Sequence, residues 1–285
     1  MTINPFLNTE RQLRHGWWIL IFFLMLAAFL VPALITAQQN DIEVPIGAQA
    51  IILALATFIC QLLRRKPLAE VLGTFNVRWF KELFMGGLIG SALMLIPALF
   101  LGIFGWVTWR WNPTGFSVLV PSLLLAAGVA VAEELLFRGF VFQRLISGLG
   151  VWIAQLITAA FFLLTHLNNP GMTGGVKGMA SINIFLASII FGLVFIRTRS
   201  LAMPLGLHLM ANWVQGGILG FGVSGTEQLG LLKPLFGEAP AWLTGGQFGL
   251  EASLPGLICV VITLLMLSTD SRQKVENSGL MKSMR

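Results

Sequence analysis

Long apolar runs, separated by short polar segments, are the feature that most limits what this chain can fold into. A membrane-spanning helix needs about 20 mostly apolar residues. Runs near that length cover residues 17–36, 45–63, 84–107, 116–137, 151–167, 182–197, 201–221 and 250–268. Backbone groups in lipid must be hydrogen-bonded within the protein, and continuous runs do not match the alternation of a barrel. The sequence therefore predicts an all-α, polytopic transmembrane helical bundle of about eight spans.

Composition agrees with a membrane protein. Hydrophobic residues make up 56% of the chain and charged residues only 11%, whereas a soluble domain carries about 25% charged residues. The net charge of +6 comes from basic residues placed between the apolar runs, which is the pattern of a membrane protein. Membrane lipid is therefore the expected partner, and nucleic acid is not.

The basic residues also predict an orientation. If the N-terminus is cytoplasmic, fourteen of the eighteen Lys and Arg residues fall in inside segments and three in outside loops. Because cytoplasmic loops carry the excess of Lys and Arg, we predict a multi-pass protein of the plasma (inner) membrane with both termini cytoplasmic.

The predicted spans divide the chain into three regions. Residues 1–114 hold three helices and an amphipathic cytoplasmic segment, 63–82; residues 115–215 form the core; residues 216–285 hold an external loop, the last span and a cytoplasmic tail. Residues 168–181 and 221–241 are rich in Gly. We interpret both as loose surface connections, with a lid as the alternative.

Ionisable groups inside a membrane are costly and usually functional. Among the twelve acidic residues we find Glu133 and Glu134 within an apolar run, together with Arg138. Glu134 and Arg138 are spaced i and i+4, so they face each other on a helix and are expected to form a structural ion pair. Glu133 lies about 100° round the helix and has no such partner. It is the candidate base for proton transfer.

Two of the three histidines, His166 and His208, also lie in apolar runs, and Asn212 follows His208 by four residues. His208 and Asn212 would present two hydrogen-bond donors on one helix face, which suits an oxyanion. A carboxylate with an imidazole can hold and deprotonate water. We therefore predict an active site of Glu133, His166, His208 and Asn212, among the fourth to seventh spans, that hydrolyses an amide without a Ser or Cys nucleophile.

Other readings stay open at this point. Each His, and Asn212, can be an interhelical hydrogen bond, and a Glu–Arg pair can be a clamp or part of a transport path. A non-catalytic membrane scaffold or bacteriocin-immunity-type protein is the main alternative function. A small proton-coupled transporter is the third.

The motifs EExxxR (Glu133, Glu134, Arg138), FxxxH (Phe162, His166) and HxxxN (His208, Asn212) occur in this order on successive spans. Over about residues 115–215 the sequence resembles the CPBP intramembrane proteases, also called the ABI family, which include the type II CAAX prenyl endopeptidases. The resemblance implies an intramembrane endopeptidase that cuts a membrane-associated peptide or membrane protein, including lipidated, CAAX-like substrates.

The resemblance also implies roles. Glu133 is the base that activates water together with His166, and His208 and Asn212 form the oxyanion site. The family is often described as metalloproteases, and Glu133, His166 and His208 would form a His₂Glu zinc set. No H-E-x-x-H pair is present, so we favour water activation by glutamate, with Zn²⁺ as the alternative cofactor.

One expectation conflicts with a shared site. His166 lies about 15 residues from the inside end of its span and His208 about 7, a difference in depth of about 12 Å at 1.5 Å per residue. A projecting fifth helix, or offset or tilted helices, would remove the conflict.

Overall fold

Eight long helices form the bundle in a computed structural model that describes residues 4–8 and 11–277, with side chains as far as Thr269. The long helices are α1 (His15–Gln39), α2 (Ile46–Leu63), α4 (Val77–Ile103), α5 (Leu119–Glu134) with α6 (Phe140–Leu149), α7 (Val151–His166), α8 (Gly174–Thr198), α9 (Ala202–Asn212) and α11 (Leu254–Asn277). Two single-turn helices, α3 (Ala69–Leu72) and α10 (Ala241–Thr244), lie in connections.

These helices match the predicted apolar runs in number and order. Five of them are long and apolar enough to cross a membrane, the α5–α6 helix counting as one, and α7 and the first part of α11 are shorter apolar helices. The all-α, polytopic fold class is therefore confirmed. The predicted cytoplasmic tail beyond residue 277 lies outside the described residues.

Several predicted boundaries are wrong. The third span ends at Ile103, and residues after it form β1 (Val107–Trp111), which pairs antiparallel with β2 (Leu232–Phe236). The β-branched and aromatic residues of β1 favour a strand. The predicted amphipathic segment is interrupted after Leu72, because α4 already begins at Val77 with Asn76 as its N-cap.

The two Gly-rich connections are not loose. Phe221 is fully buried, and the second connection contains β2. Half of the first connection is helical, since α8 begins at Gly174. Asn169 of the first connection donates a hydrogen bond to the Ser224 carbonyl of the second, at 2.9 Å. The two connections therefore pack on each other at one end of the bundle.

Helix α4 and helix α9 approach each other closely. A Cβ on Gly90 of α4 would overlap the carbonyl oxygen of Leu207, and one on Gly86 would overlap that of Met203. Gly206 of α9 lies in the same way against the carbonyl oxygen of Leu83. Small residues four apart allow helix backbones to meet in membranes. These glycines fix α9, and therefore His208, against α4.

The conflict in depth is resolved by a projecting α6–α7 turn. The Gln143 side chain donates to the Val71 carbonyl at 3.1 Å, and the Leu201 amide donates to the neighbouring Leu72 carbonyl at 3.2 Å. Gln143 therefore lies level with the start of α9. The chain continues about six residues beyond Gln143 before it turns at Gly150, roughly 9 Å at 1.5 Å per residue. Helix α7 thus starts outside the level of α9, which brings His166 and His208 to similar depths.

A polar cluster anchors this end of the bundle. Glu70 accepts hydrogen bonds from Arg64, at 3.0 and 3.1 Å, and from Arg144, at 3.1 Å. Burial alone would raise the pKa of Glu70, but the hydrogen bonds from Arg64 and Gln61 and the charges of Arg64 and Arg144 together lower it. The cluster therefore ties the α2–α3 connection to α6.

Candidate active site

The buried pair of Glu134 and Arg138 forms the floor of the site. Both side chains are fully buried, and Arg138 Nη1 lies 3.3 Å from Glu134 Oε1. Arg138 Nη2 donates to the Ser188 hydroxyl at 2.7 Å. The guanidinium also lies between the rings of Phe162 and Phe191, with its central carbon 4.9 and 4.8 Å from their centroids. Cation–π contacts of this kind stabilise a desolvated guanidinium.

The helix departs from α geometry here. Residues Leu135–Gly139, directly after the two glutamates, form a π-helical turn, and Trp213–Ile218 form another directly after Asn212. Such turns often occur at functional sites. The ion pair expected from regular α-helical spacing forms across this wider turn.

His208 connects the two glutamates. Its Nδ1 lies 2.8 Å from Glu134 Oε1, and its Nε2 lies 3.7 Å from Glu133 Oε2. Because a carboxylate oxygen only accepts, Nδ1 carries the proton in that contact. When both ring nitrogens of His208 carry a proton, Nε2–H also donates. Glu134 therefore orients His208 as well as pairing with Arg138, a role that sequence reasoning missed.

Glu133 is the carboxylate that faces the open space. Its side chain is about one quarter exposed, yet Oε2 is buried and has no hydrogen-bond partner among the described residues. The separation of 3.7 Å from His208 Nε2 is too long for a direct hydrogen bond. A buried carboxylate oxygen without a partner is costly, so this atom is suited to accept a hydrogen bond from a water molecule or a substrate.

His166 reaches the same space from the end of α7. Its Nδ1 lies 2.8 Å from the Phe162 carbonyl oxygen. A carbonyl oxygen only accepts, so Nδ1 carries a proton and Nε2 has a lone pair in the neutral ring. Phe162 therefore has two roles in its motif: its carbonyl orients His166, and its ring covers Arg138.

All four predicted catalytic residues line one cavity of about 360 Å³. Glu133 comes from α5, His166 from α7, and His208 and Asn212 from α9. Asn212 is half-buried, and its amide makes no hydrogen bond within the described part of the chain. The cavity is also bounded by α4, α8, α11 and the connection 221–241. It therefore extends beyond the fourth to seventh spans.

A further carboxylate, Glu251, lines the cavity and was missed. It lies in a single 3-10 turn, Leu250–Ala252, just before α11. Gln215 Nε2 donates to its Oε1 at 3.1 Å, and the Ser224 hydroxyl donates to its Oε2 at 2.9 Å. Glu251 is the second residue of the last predicted run, 250–268, and this position is the signal that could have found it.

The candidate zinc ligands do not form a metal centre as they are placed. Within the described residues, no group of three or more His, Cys, Asp or Glu side chains is arranged to hold a metal ion. Hydrogen bonds at Nδ1 of both imidazoles, to Glu134 for His208 and to the Phe162 carbonyl for His166, leave the two Nε2 atoms toward the cavity. Such Nδ1 contacts are also common for histidines that bind metals, so zinc stays the alternative cofactor for Glu133, His166 and His208.

The comparisons with known proteins concern the same part of the chain. The family model described as type II CAAX prenyl endopeptidase Rce1-like matches residues 114–214. No curated protein matches the chain. The matched segment contains all three motifs and the residues of the Glu134–Arg138 pair. The resemblance predicted from the motifs is therefore confirmed: residues 114–214 of this helical membrane protein are similar to the Rce1-like type II CAAX prenyl endopeptidases, a family of proteases.

Proposed function

We propose that this protein is an intramembrane endopeptidase in which Glu133 activates a water molecule for attack on a peptide bond. The observation that carries the proposal is the unpartnered, buried Oε2 of Glu133, which faces His208 across 3.7 Å in a cavity shared with His166. Hydrogen-bond partners at this atom must come from whatever enters the cavity.

In the proposed hydrolysis each of the four residues has a distinct role. Glu133 takes a proton from water, whose other hydrogen is held by Nε2 of His166, and the water oxygen attacks the carbonyl carbon. His208 Nε2–H and the Asn212 amide donate to the oxyanion that forms. The tetrahedral intermediate collapses as Glu133 returns the proton to the amide nitrogen. The C–N bond breaks, giving a carboxylic acid and an amine.

Charges at the site suit this chemistry. The Glu134–Arg138 ion pair and His208 lie directly beside Glu133. Proton transfer to Glu133 while an oxyanion forms moves negative charge toward His208 without changing the total. Preorganised donors in a water-poor site stabilise such a shift strongly.

The substrate is expected to reach the cavity from the membrane. Most of the cavity lining is apolar, with contributions from seven of the long helices. A membrane-associated peptide or membrane protein, including one with a lipid anchor, fits these surroundings better than a soluble peptide. Lipidated, CAAX-like peptides belong to this class.

Replacement of Glu133 by Gln tests the proposal. Glu133→Gln keeps the shape of the side chain but removes the base, so we expect cleavage of randomised lipid-anchored peptides to fall by about 10²–10⁴-fold. Cleavage products are measured by mass spectrometry with the purified protein in liposomes. Glu238→Gln is the matched control, because Glu238 is exposed and outside the cavity. Undiminished cleavage by folded Glu133→Gln would refute the mechanism.

A further inference from the structure

The antiparallel hairpin of β1 and β2 places two cations directly opposite each other. Arg110 of β1 and Lys233 of β2 are partners in its register, and both residues are exposed. Side chains opposite each other in an antiparallel pair have Cβ atoms about 4.5–5.5 Å apart, and like charges in these positions destabilise the sheet. The hairpin therefore carries a repulsion that a bound anion would offset.

These two cations have no carboxylate partner in the protein. Neither strand contains an acidic residue. Among the side chains that the structure describes, Arg110 and Lys233 form no ion pair, either with the exposed Glu238 that follows β2 or with any other acid. Arg110 and Lys233 are also two of the three Lys and Arg residues that the sequence places in outside loops. The fold thus concentrates positive charge at one place on that side.

The face of the hairpin that carries the cations points away from the protein. Alternate residues of a strand point to opposite faces. Val107 is buried, and Trp109 packs against the same core and donates its indole N–H to the Leu219 carbonyl at 3.2 Å. Arg110 lies between these inward positions in the alternation, so its side chain and that of Lys233 are on the outer face. An anion can reach both without displacing any part of the protein.

The hairpin lies at the lipid-facing end of α4. Leu99, Ile103 and Phe104, in the last turn of α4 and directly after it, are apolar and exposed, as expected of a helix end in contact with lipid. Strand β1 begins soon afterwards, at Val107, and ends with the exposed Trp111. Trp is enriched at the membrane–water interface. Cations at this level lie near the charged headgroups of the lipids.

We propose that Arg110 and Lys233 bind the phosphate of an anionic phospholipid, such as phosphatidylglycerol, at the membrane surface. Charge complementarity favours this lipid class. Two cations without a neighbouring acid attract a lipid with a net negative charge, whereas the choline of phosphatidylcholine offsets its own phosphate. The Arg guanidinium and the Lys ammonium both form charge-assisted hydrogen bonds with phosphate oxygens.

A lipid bound at this hairpin would lie close to the cavity. The amide of Leu231, directly before β2, donates to the Gly217 carbonyl at 2.8 Å, and Gly217 lines the cavity. A phosphate that offsets the repulsion between Arg110 and Lys233 therefore stabilises the connection that bounds the cavity. The lipid site itself does not depend on the proposed hydrolysis.

Native mass spectrometry of the full-length protein in detergent tests this inference. Phosphatidylglycerol, phosphatidylcholine and glycerol phosphate are titrated separately. We expect the wild type to bind phosphatidylglycerol most tightly, and Arg110→Gln and Lys233→Gln each to weaken this binding about fivefold, which corresponds to about 1 kcal/mol per cation at a membrane surface. Arg110→Lys keeps the charge and should keep the binding. Lys177→Gln is the matched control, because Lys177 is an exposed cation of another predicted outside loop and should not affect binding.

Thermal unfolding gives a second readout that a merely structural role would not reproduce. Without anionic lipid, Lys233→Gln should not lower the unfolding midpoint, because it removes a repulsion between like charges. Added phosphatidylglycerol should raise the midpoint of the wild type more than that of Lys233→Gln.

Three results would overturn the site. Arg110→Gln and Lys233→Gln may each bind phosphatidylglycerol as tightly as the wild type or as Lys177→Gln, and then the hairpin is not where the lipid binds. Equal binding of phosphatidylcholine by the wild type would contradict the preference for an anionic lipid. Binding of glycerol phosphate as tight as that of phosphatidylglycerol would assign the cations to free phosphate instead of a lipid. None of these measurements involves cleavage, so their failure leaves the proposed endopeptidase function standing.

Discussion

Glu134 holds both Arg138 and His208 through one carboxylate oxygen, and this makes it the most consequential buried residue of the site. Its Oε1 contacts both Arg138 and His208. The sequence predicted the contact with Arg138 from the i, i+4 spacing. It could not predict the contact with His208, because the two residues are 74 positions apart and no periodicity relates separate helices.

Glu134→Gln is therefore expected to destabilise the protein strongly. Removing one partner of a buried ion pair costs about 3–5 kcal/mol, because the other charge remains buried. The thermal unfolding midpoint of the purified protein should fall clearly, and cleavage should fall with it. Glu82→Gln is the matched control, since Glu82 has the same spacing from Arg78, whose side chain is 74% exposed. Exposed pairs contribute about 0–1 kcal/mol, and equal losses in the two variants would contradict the assignment.

The position of helix α9 depends on glycines that take no part in the reaction. The apolar runs predicted that α4 and α9 exist, but run lengths alone do not predict which helices touch. The close approach at Gly86, Gly90 and Gly206 is what places His208 opposite Glu133. The π-helical turns after Glu134 and Asn212 likewise have no signal in hydropathy, because they change the helix geometry without changing its apolar character.

Gly90→Ala tests this arrangement. The added Cβ overlaps the Leu207 carbonyl oxygen, so α4 and α9 must separate, and overpacking of this kind costs about 1–3 kcal/mol. We expect a lower unfolding midpoint and reduced cleavage. Gly47→Ala in α2 is the control, because no atom lies within 4 Å of its added Cβ and Ala favours helix. A Gly90→Ala protein as active and stable as Gly47→Ala would show that the close approach is not needed.

Across the whole molecule, the apolar runs predicted the number and order of the helices, but they did not predict where the helices end. Hydropathy reports where a helix is surrounded by lipid or protein, but α6 and α7 continue past that region to a projecting turn at Gly150. Glu251 was missed at the very start of the last predicted run, in the single turn Leu250–Ala252. Its place at the cavity depends on contacts with Gln215 and Ser224, which its own neighbours in sequence do not reveal.

We expect both termini on the cytoplasmic side, as the distribution of Lys and Arg predicts. The eight predicted crossings would return the chain to its starting side. Fusion of a reporter that is active only in the cytoplasm to either end should give signal in both cases. A reporter active only outside the membrane should give signal when it is inserted near Lys233. Opposite locations for the two ends would show that one helix does not cross.

The most direct test of the central claim is cleavage by the metal-depleted protein. Purified wild type and Glu133→Gln are treated with a chelator, their metal content is measured, and cleavage of lipid-anchored peptides is followed in the same samples. Water activation by Glu133 predicts that the depleted wild type keeps its activity and exceeds Glu133→Gln by about 10²-fold or more. Activity that is lost on depletion and returns with Zn²⁺, or a Glu133→Gln protein as active as the wild type, would contradict it.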